Sequence, residues 1–417
     1  MRKLNITTWM VLLVVTASAY RCGTATGNRD SQPIVSLNQW HYIQVDDQRA
    51  KWGDWAQPEW LRYFGLDMAD VTGDGFKDIV AGRYFYQNPG GDMTEHWHRI
   101  DLGMNVDGML FVDVKGHQYG GIIATALPAV YWFKALDEQG SAWQGVQIGE
   151  VPATGHVNGQ GYANAQIIPG GSKEVMLATG EGIYYFEIPD DISRHEGYWP
   201  MTHAAPDASD EGFGVGDIDG DGLLDIAAGR RQGEDEGSGM EIFWWKNPGN
   251  GQGNWESFPI GQTLFDADRI AVADMNGDGK ADVVVSEERY PGREPDANLF
   301  WFEQSVDLTN GGWERHTVVT QYSMNNMDVA DMDNDGHMDI IVAEHKGKAL
   351  KLQIWRNDGT GNFTENLVDT GKEGHLGARV ADLDGNGTLD IISIGWDKYP
   401  YLHVWRNDGL DKADDTQ

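Results

Sequence analysis

The chain has 417 residues, 40% of them hydrophobic, which is ample for one large or two ordinary domains. Its formal charge is −34, from 31 Lys and Arg against 65 Asp and Glu, and this argues against nucleic acid or an anionic lipid surface as a partner. With a single cysteine no disulfide can form within the chain, while 54 Gly and 17 Trp suit many short strands joined by tight turns.

Residues 1–19 read as a secretory signal. Arg2 and Lys3 give a basic start, residues 9–15 form a short apolar run, and Ala17-Ser18-Ala19 offers a cleavage site. The run is too short to span a bilayer. Cys22 follows at once, but Arg21 directly before it disfavours a lipoprotein anchor, so a secreted or periplasmic location is expected. Residues 20–38 show little periodicity and read as a linker, and 409–417 as a tail.

From residue 39 to 408 one pattern repeats. An apolar strand leads into an acidic loop, and a second apolar strand leaves it, as in 78–82. A third, aromatic strand follows, for example 84–86, 131–133, 184–186 and 242–245. A turn at Asn88, Asn247, Asn357 or Asn407 then leads to a fourth strand opening on Trp97, Trp143, Trp199, Trp255, Trp313 or Phe363. In the loop 217–225, Asp217, Asp219, Asp221 and Asp225 stand at positions one, three, five and nine with glycine between. The pattern recurs at 70–78 (Asp70, Asp74, Asp78) and 274–282 (Asp274, Asn276, Asp278, Asp282). It returns at 331–339 (Asp331, Asp333, Asp335, Asp339) and 382–390 (Asp382, Asp384, Asn386, Asp390). Alternating oxygen ligands around a tight turn suit a hard divalent cation, so structural calcium is expected in these loops.

The loop starts, Asp70, Asp113, Gln166, Asp217, Asp274, Asp331 and Asp382, lie 43 to 57 residues apart. The second and third units have lost the acidic loop but keep the strands. Seven four-stranded units of this length predict an all-β fold, a single seven-bladed β-propeller of antiparallel blades. The seventh unit stops after its third strand, and a spare strand at 39–45 is expected to complete it and leave no free edge. A monomer is expected.

These repeats resemble FG-GAP/VCBS repeats, whose blades carry D-x-D-G-D-G-x-x-D after the innermost strand, and the resemblance covers roughly 39–408. That family includes adhesins, carbohydrate-active enzymes and surface proteins, so the resemblance implies a fold and leaves function open. The arrangement is also similar to the propeller domain of aldos-2-ulose dehydratases, without their cupin domains. It is more distantly similar to propeller-type lyases acting on acidic polysaccharides. No catalytic motif of either group matches residue by residue.

Strand direction places the start of each innermost strand and the loop between second and third strands on one entrance face, opposite the acidic loops. The leading residues there include Asp67, Asp107, Asn164, Glu211, Asp268, Arg269, Asn325, Asn326 and His375. The outer loops add Arg83, Arg230, Arg231, Tyr290, His345, Lys346, Trp396 and Tyr399. Over these loops cations nearly match carboxylates, whereas the whole chain averages two acids per base. That favours an anionic saccharide, held by Arg83, Arg230, Arg231, Arg269, Lys346 and Asn326 and stacked on Trp396. A lyase or dehydratase working by β-elimination needs a cation for the enolate, a base and an acid. Arg230, Arg231 or Arg269 could supply the first. His345 or His375 could be the base, since imidazole titrates near neutrality, and Tyr290 or Tyr399 the acid. A non-catalytic carbohydrate-binding or adhesion propeller would use the same face. Paired carboxylates among Asp107, Glu211 and Asp268 form a third reading. No Ser-His-Asp order, phosphate loop or zinc spacing is present.

Overall fold

The strand after an acidic loop is short, apolar and mostly buried, along its whole length in Asp78–Ala81 and Asp339–Ala343. Such a run needs a sheet neighbour on each edge and a packed layer on each face. The computed structural model supplies both. It describes residues 33–50, 63–154, 159–231, 239–250, 255–372, 374, 376–395 and 401–410. These form seven four-stranded antiparallel sheets, six of them built from consecutive strands. The innermost strands are Leu66–Ala69, Asp107–Val112, Tyr162–Ala165, Gly214–Gly216, Asp266–Ala273, Asn326–Ala330 and Leu376–Ala381, opening blades 1 to 7 in order. The last of them packs against the first, so the ring is closed.

The core is a set of seven apolar layers, one between each pair of neighbouring blades. Phe85, Phe111 and Ile122 fill the layer between blades 1 and 2. Trp244, Ile270 and Phe300 fill the layer between blades 4 and 5. The third-strand aromatics are therefore core residues first, as their pattern implied.

The seventh blade is made from both ends of the described chain. Trp40–Asp46 pairs antiparallel with Leu402–Asn407, with Tyr42 opposite Trp405 and Ile43 opposite Val404. Ile43 is 8% exposed and packs in the layer between blades 7 and 1. The end of the segment read as a linker also docks here. Val35 and Leu37 are buried, and the Val35 amide donates to the Asp333 carbonyl at 2.8 Å.

Candidate functional site

Each acidic loop divides into two parts with different work. The ninth-position carboxylates, Asp78, Asp225, Asp282, Asp339 and Asp390, are all fully buried. Each accepts an amide from the start of its own loop (two at Asp78, from Val71 and Thr72) and one from the turn after its third strand. For Asp225 these come from Ile218 at 3.0 Å and Asn247 at 2.8 Å. For Asp390 they come from Leu383 at 2.9 Å and Asn407 at 2.8 Å. Burial pushes these carboxyls up, to about 7 for Asp225 and about 8 for Asp390. The turn residue then reaches into the preceding blade. Asn88 donates to the Leu383 carbonyl at 3.0 Å, Asn247 to Ile167 at 2.9 Å, Gln304 to Ile218 at 2.6 Å and Asn357 to Met275 at 2.8 Å. The third blade has no acidic loop, yet Glu174 keeps the hub, accepting from Ile167 at 2.7 Å and Ile168 at 3.1 Å. The ninth position is thus a structural hub whether or not a cation is held beside it.

The remaining positions can hold a cation, and three loops fit best. Carboxylate oxygens of Asp217, Asp219 and Asp225 lie within 4.8 Å of one another, as do those of Asp331, Asp333 and Asp339 and those of Asp382, Asp384 and Asp390. Oδ1 of Asp217 and of Asp331 is buried with no hydrogen-bond partner among the described residues, while the second oxygen accepts from Gly222 or Gly336. A buried carboxylate oxygen left without a donor is what a metal ligand looks like when protein groups alone are counted. In the loop at 382 the backbone takes both oxygens of the first aspartate, through Asn386 and Gly387, and in the loops at 70 and 274 it does the same: Gly73 and Gly75 at Asp70, and Gly277 and Gly279 at Asp274. Thr72 and Asn276 replace the third-position acid there.

The entrance face looks different from its sequence. Arg83 is ion-paired with Asp101 at 2.9 Å. Arg230 lies flat over the Phe243 ring, 4.1 Å from its centroid, and donates to Ser257 Oγ at 3.1 Å, so it packs on the blade. Asn326 is fully buried, donating to the Gly374 carbonyl and accepting from the Ala343 amide at 2.8 Å, which makes it a backbone brace. Asp107 accepts the amides of Phe64 and Gly65 at 2.7 and 2.9 Å, which ties blade 2 to blade 1. Tyr290 is exposed, with the Lys346 ammonium 5.4 Å from its ring. His375, Trp396 and Tyr399 lie outside the described residues, as does the side chain of Arg231. The cations counted as a surplus are largely committed, since Arg289 pairs with Asp296, Lys346 with Glu288 and Arg269 with Asp268.

One group does converge, at the entrance edge of blades 4 to 6. It contains Glu211, Asp268, Arg269, Asn325, His345 and Lys346, together with Glu288, which the repeat pattern did not single out. A register shift between Ala267 and Arg269 bulges Asp268 out of the innermost strand of blade 5. Glu288 ends the next strand, Asp282–Glu288. The Asn325 amide donates both to Asp268 Oδ1, at 3.3 Å, and to Glu288 Oε2, so the two carboxyl groups share one donor. The Lys346 ammonium sits on the other Glu288 oxygen. Arg269 pairs with Asp268 at 3.1 Å and reaches Gln160 of blade 3 at 3.5 Å.

These contacts pull the carboxyl groups apart in acidity. Burial, with the Glu288 charge adding, pushes Asp268 up to about 7. Burial and the neighbouring Asp268 raise Glu211 well above the carboxylate range. Burial alone would raise Glu288 too, but the Lys346 charge and the hydrogen bonds from Lys346 and Asn325 act against it, and Glu288 is held low and ionised. Asp268 is 1% exposed at its side chain, while Glu288 keeps 24% and Lys346 20%, so the ionised pair is partly open to water. Burial also takes His345 down to about 3. The expectation of a base titrating near neutrality is therefore corrected: this imidazole is neutral and weakly basic.

The FG-GAP-like repeat family matches residues 217–285 and 331–393. These stretches carry FG-GAP-like repeats. They begin at the two loops whose first aspartate has the partnerless oxygen, and each runs from its blade into the second strand of the next, blades 4 to 5 and blades 6 to 7. No curated protein matches the chain. Among solved structures, the V. cholerae biofilm matrix protein Bap1 is similar at 12% identity and a TM-score of 0.45, over 90% of this chain and 92% of that one. The Photorhabdus luminescens Tc holotoxin pore is similar at 15% identity and a TM-score of 0.40, over 87% of this chain but 15% of that one. Among the described residues no helix is long and apolar enough to cross a membrane.

Proposed function

We propose that this FG-GAP-like propeller is a secreted or periplasmic carbohydrate-active enzyme that cleaves a sugar C–O bond by carboxyl acid–base chemistry at the mouth of the channel. The observation that carries the reading is the pair of carboxyl groups on one amide donor, with Glu288 held ionised and Asp268 held protonated towards neutral pH. Environments that push two titratable groups apart mark an acid and a base. Glu288 would activate water, and Asp268, backed by Glu211, would protonate the leaving oxygen. Elimination from a uronate is supported less well, because it needs an uncommitted cation to stabilise the enolate and most described cations of this face are ion-paired or, like Arg230, packed on an aromatic ring. The substrate is therefore a neutral saccharide rather than an anionic one. Calcium is the ion assigned to the three convergent loops on the opposite face, where its role is structural.

A non-catalytic saccharide-binding role draws support from the same contacts, since Asn325 and Lys346 already saturate Glu288 and would make a rigid recognition surface. One experiment separates the two. The protein is incubated with a panel of neutral and uronate oligosaccharides, and products are read by mass spectrometry, where hydrolysis adds one water and elimination does not. Glu288→Gln and Asp268→Asn should each lower turnover by roughly 10² to 10⁴. Binding with no product from the unmodified protein favours the recognition role. Full turnover in both variants places the chemistry elsewhere.

A further inference from the structure

The five acidic loops differ in one residue outside them, at the end of the third strand directly before the turn Asn or Gln. In blades 4 and 6 it is a cation, and it lies on the loop of its own blade. The Lys246 ammonium contacts Asp219 and, at 2.7 Å, Asp221. The Arg356 guanidinium contacts Asp333 and, at 3.1 Å, Asp335. These are positions three and five in each loop, the same oxygens a divalent cation would take together with the first and ninth aspartates. In both loops the first aspartate keeps its buried, partnerless Oδ1. The side chain thus neutralises positions three and five and leaves Oδ1 of the first aspartate without a partner.

Blade 7 has the same residue type and the opposite arrangement. Arg406 turns away from its loop, pairing with Asp408 at 2.8 and 3.1 Å and donating to the Asp92 carbonyl. Asp382, Asp384 and Asp390 still converge, and among the described residues no Lys or Arg side chain is ion-paired with their carboxylates, although the Lys77 ammonium donates to the Asp382 carbonyl at 2.8 Å. Blades 1 and 5 carry Gln87 and Glu303 at this position, and these bond to Gln139 and His316.

We propose that Lys246 and Arg356 are exchangeable counter-cations: each withdraws from its loop when that loop takes up a divalent cation, whereas the loop at 382–390 takes up the cation with no such exchange. The position before the turn therefore sets which loops load first. Two consequences follow from charge alone. Loops 217–225 and 331–339 stay neutralised and folded when divalent cations are scarce, and their affinity is lower than that of 382–390. This inference rests on the acidic loops alone and is independent of the chemistry assigned to the entrance face.

The test uses the full-length protein and calcium chloride alone, with bound ions counted by native mass spectrometry and affinities measured by calorimetry. A like charge within a few ångströms shifts ion binding by about one to three orders of magnitude in the case of a proton. Lys246→Met and Arg356→Met keep the apolar stem and should each tighten one weak site at least about tenfold. Lys246→Arg keeps the charge and should retain the unmodified affinity. Asp408→Asn releases Arg406 and should weaken the tight site. If the two Met variants bind calcium no more tightly than the unmodified protein, the exchange idea is wrong. Equal affinity at all loaded loops of the unmodified protein, or no calcium bound at all, overturns it equally. Should Lys246→Met fail to fold, Lys246→Gln and the Asp408→Asn arm decide the matter.

Discussion

Asp225→Ala tests whether the ninth-position acid is a hub or merely a metal ligand. The carboxylate is fully buried and accepts two amides, from Ile218 at 3.0 Å and Asn247 at 2.8 Å. Truncation leaves both donors buried and unmatched, at about 1–3 kcal/mol each, so the expected loss is about 2–6 kcal/mol. Asn247 is also the residue that reaches Ile167 of blade 3, so the loosened turn weakens the contact between blades. Glu174→Ala is the matched control, because its blade has no acidic loop. There the Ile167 amide keeps a bond to the Ala165 carbonyl at 3.1 Å, so only Ile168 is orphaned and about 1–3 kcal/mol is expected. Asp219→Ala removes a candidate ligand that carries no hub. Urea unfolding would be followed in chelator and again in calcium. Asp225→Ala and Glu174→Ala should lose stability in both, and Asp219→Ala should lose it chiefly in calcium. An Asp225→Ala midpoint unchanged in chelator would refute the hub and leave the residue a metal ligand only.

Further outcomes are expected. Ile43→Ala in the closing strand should cost about 2–5 kcal/mol in urea, while Val306→Ala, at 98% exposure, should cost almost nothing; equal costs would remove the case for closure by this strand. Asp268 has its folded pKa raised, so the folded state holds a proton that the unfolded state releases, and stability should fall as pH rises from about 4 through about 7. Asp268→Asn should flatten that slope, and an unchanged slope would show that another group causes it. Arg83→Ala should change stability by less than about 1 kcal/mol, because its pair with Asp101 is partly exposed; a larger loss would mean that Arg83 packs more than it pairs. A chelator should lower the melting temperature, and calcium at a hundred times its dissociation constant should restore about 2.7 kcal/mol per loaded loop. A melting temperature that ignores both would remove calcium from the account.

The ring was legible because its signals are linear. The repeat spacing and the mismatched ends place a strand at 39–45, and the structure has it at Trp40–Asp46. The fourth strands open on Trp143 and Phe363 as expected, while those after Trp97, Trp199, Trp255 and Trp313 start one or two residues later. Trp97 packs beneath the blade, donating to the Met93 carbonyl at 3.1 Å before pairing begins at His98. Glu174 could have been found, since it stands at the ninth position counted from Gln166. The entrance cluster was legible only in part. Asp268 and Glu211 lead innermost strands, but Glu288 ends a second strand and gains its role from Lys346 of the next blade. Charge counting misread Arg230, because the aromatic face that holds it is visible only once its own sheet is folded.

The joint of blade 7 also has a clock in it. Trp40–Asp46 is made near the start of synthesis, and its partner Leu402–Asn407 near the end. At roughly 5–20 residues per second the first strand waits on the order of twenty to seventy seconds for its mate. Throughout that time Ile43 and the strand's amide edge are unsheathed, and six finished blades would stand as an open arc with two bare flanks. If the chain is exported, as proposed above, it meets this gap while threading through a membrane, and its early strand is the segment with most need of a chaperone's cover.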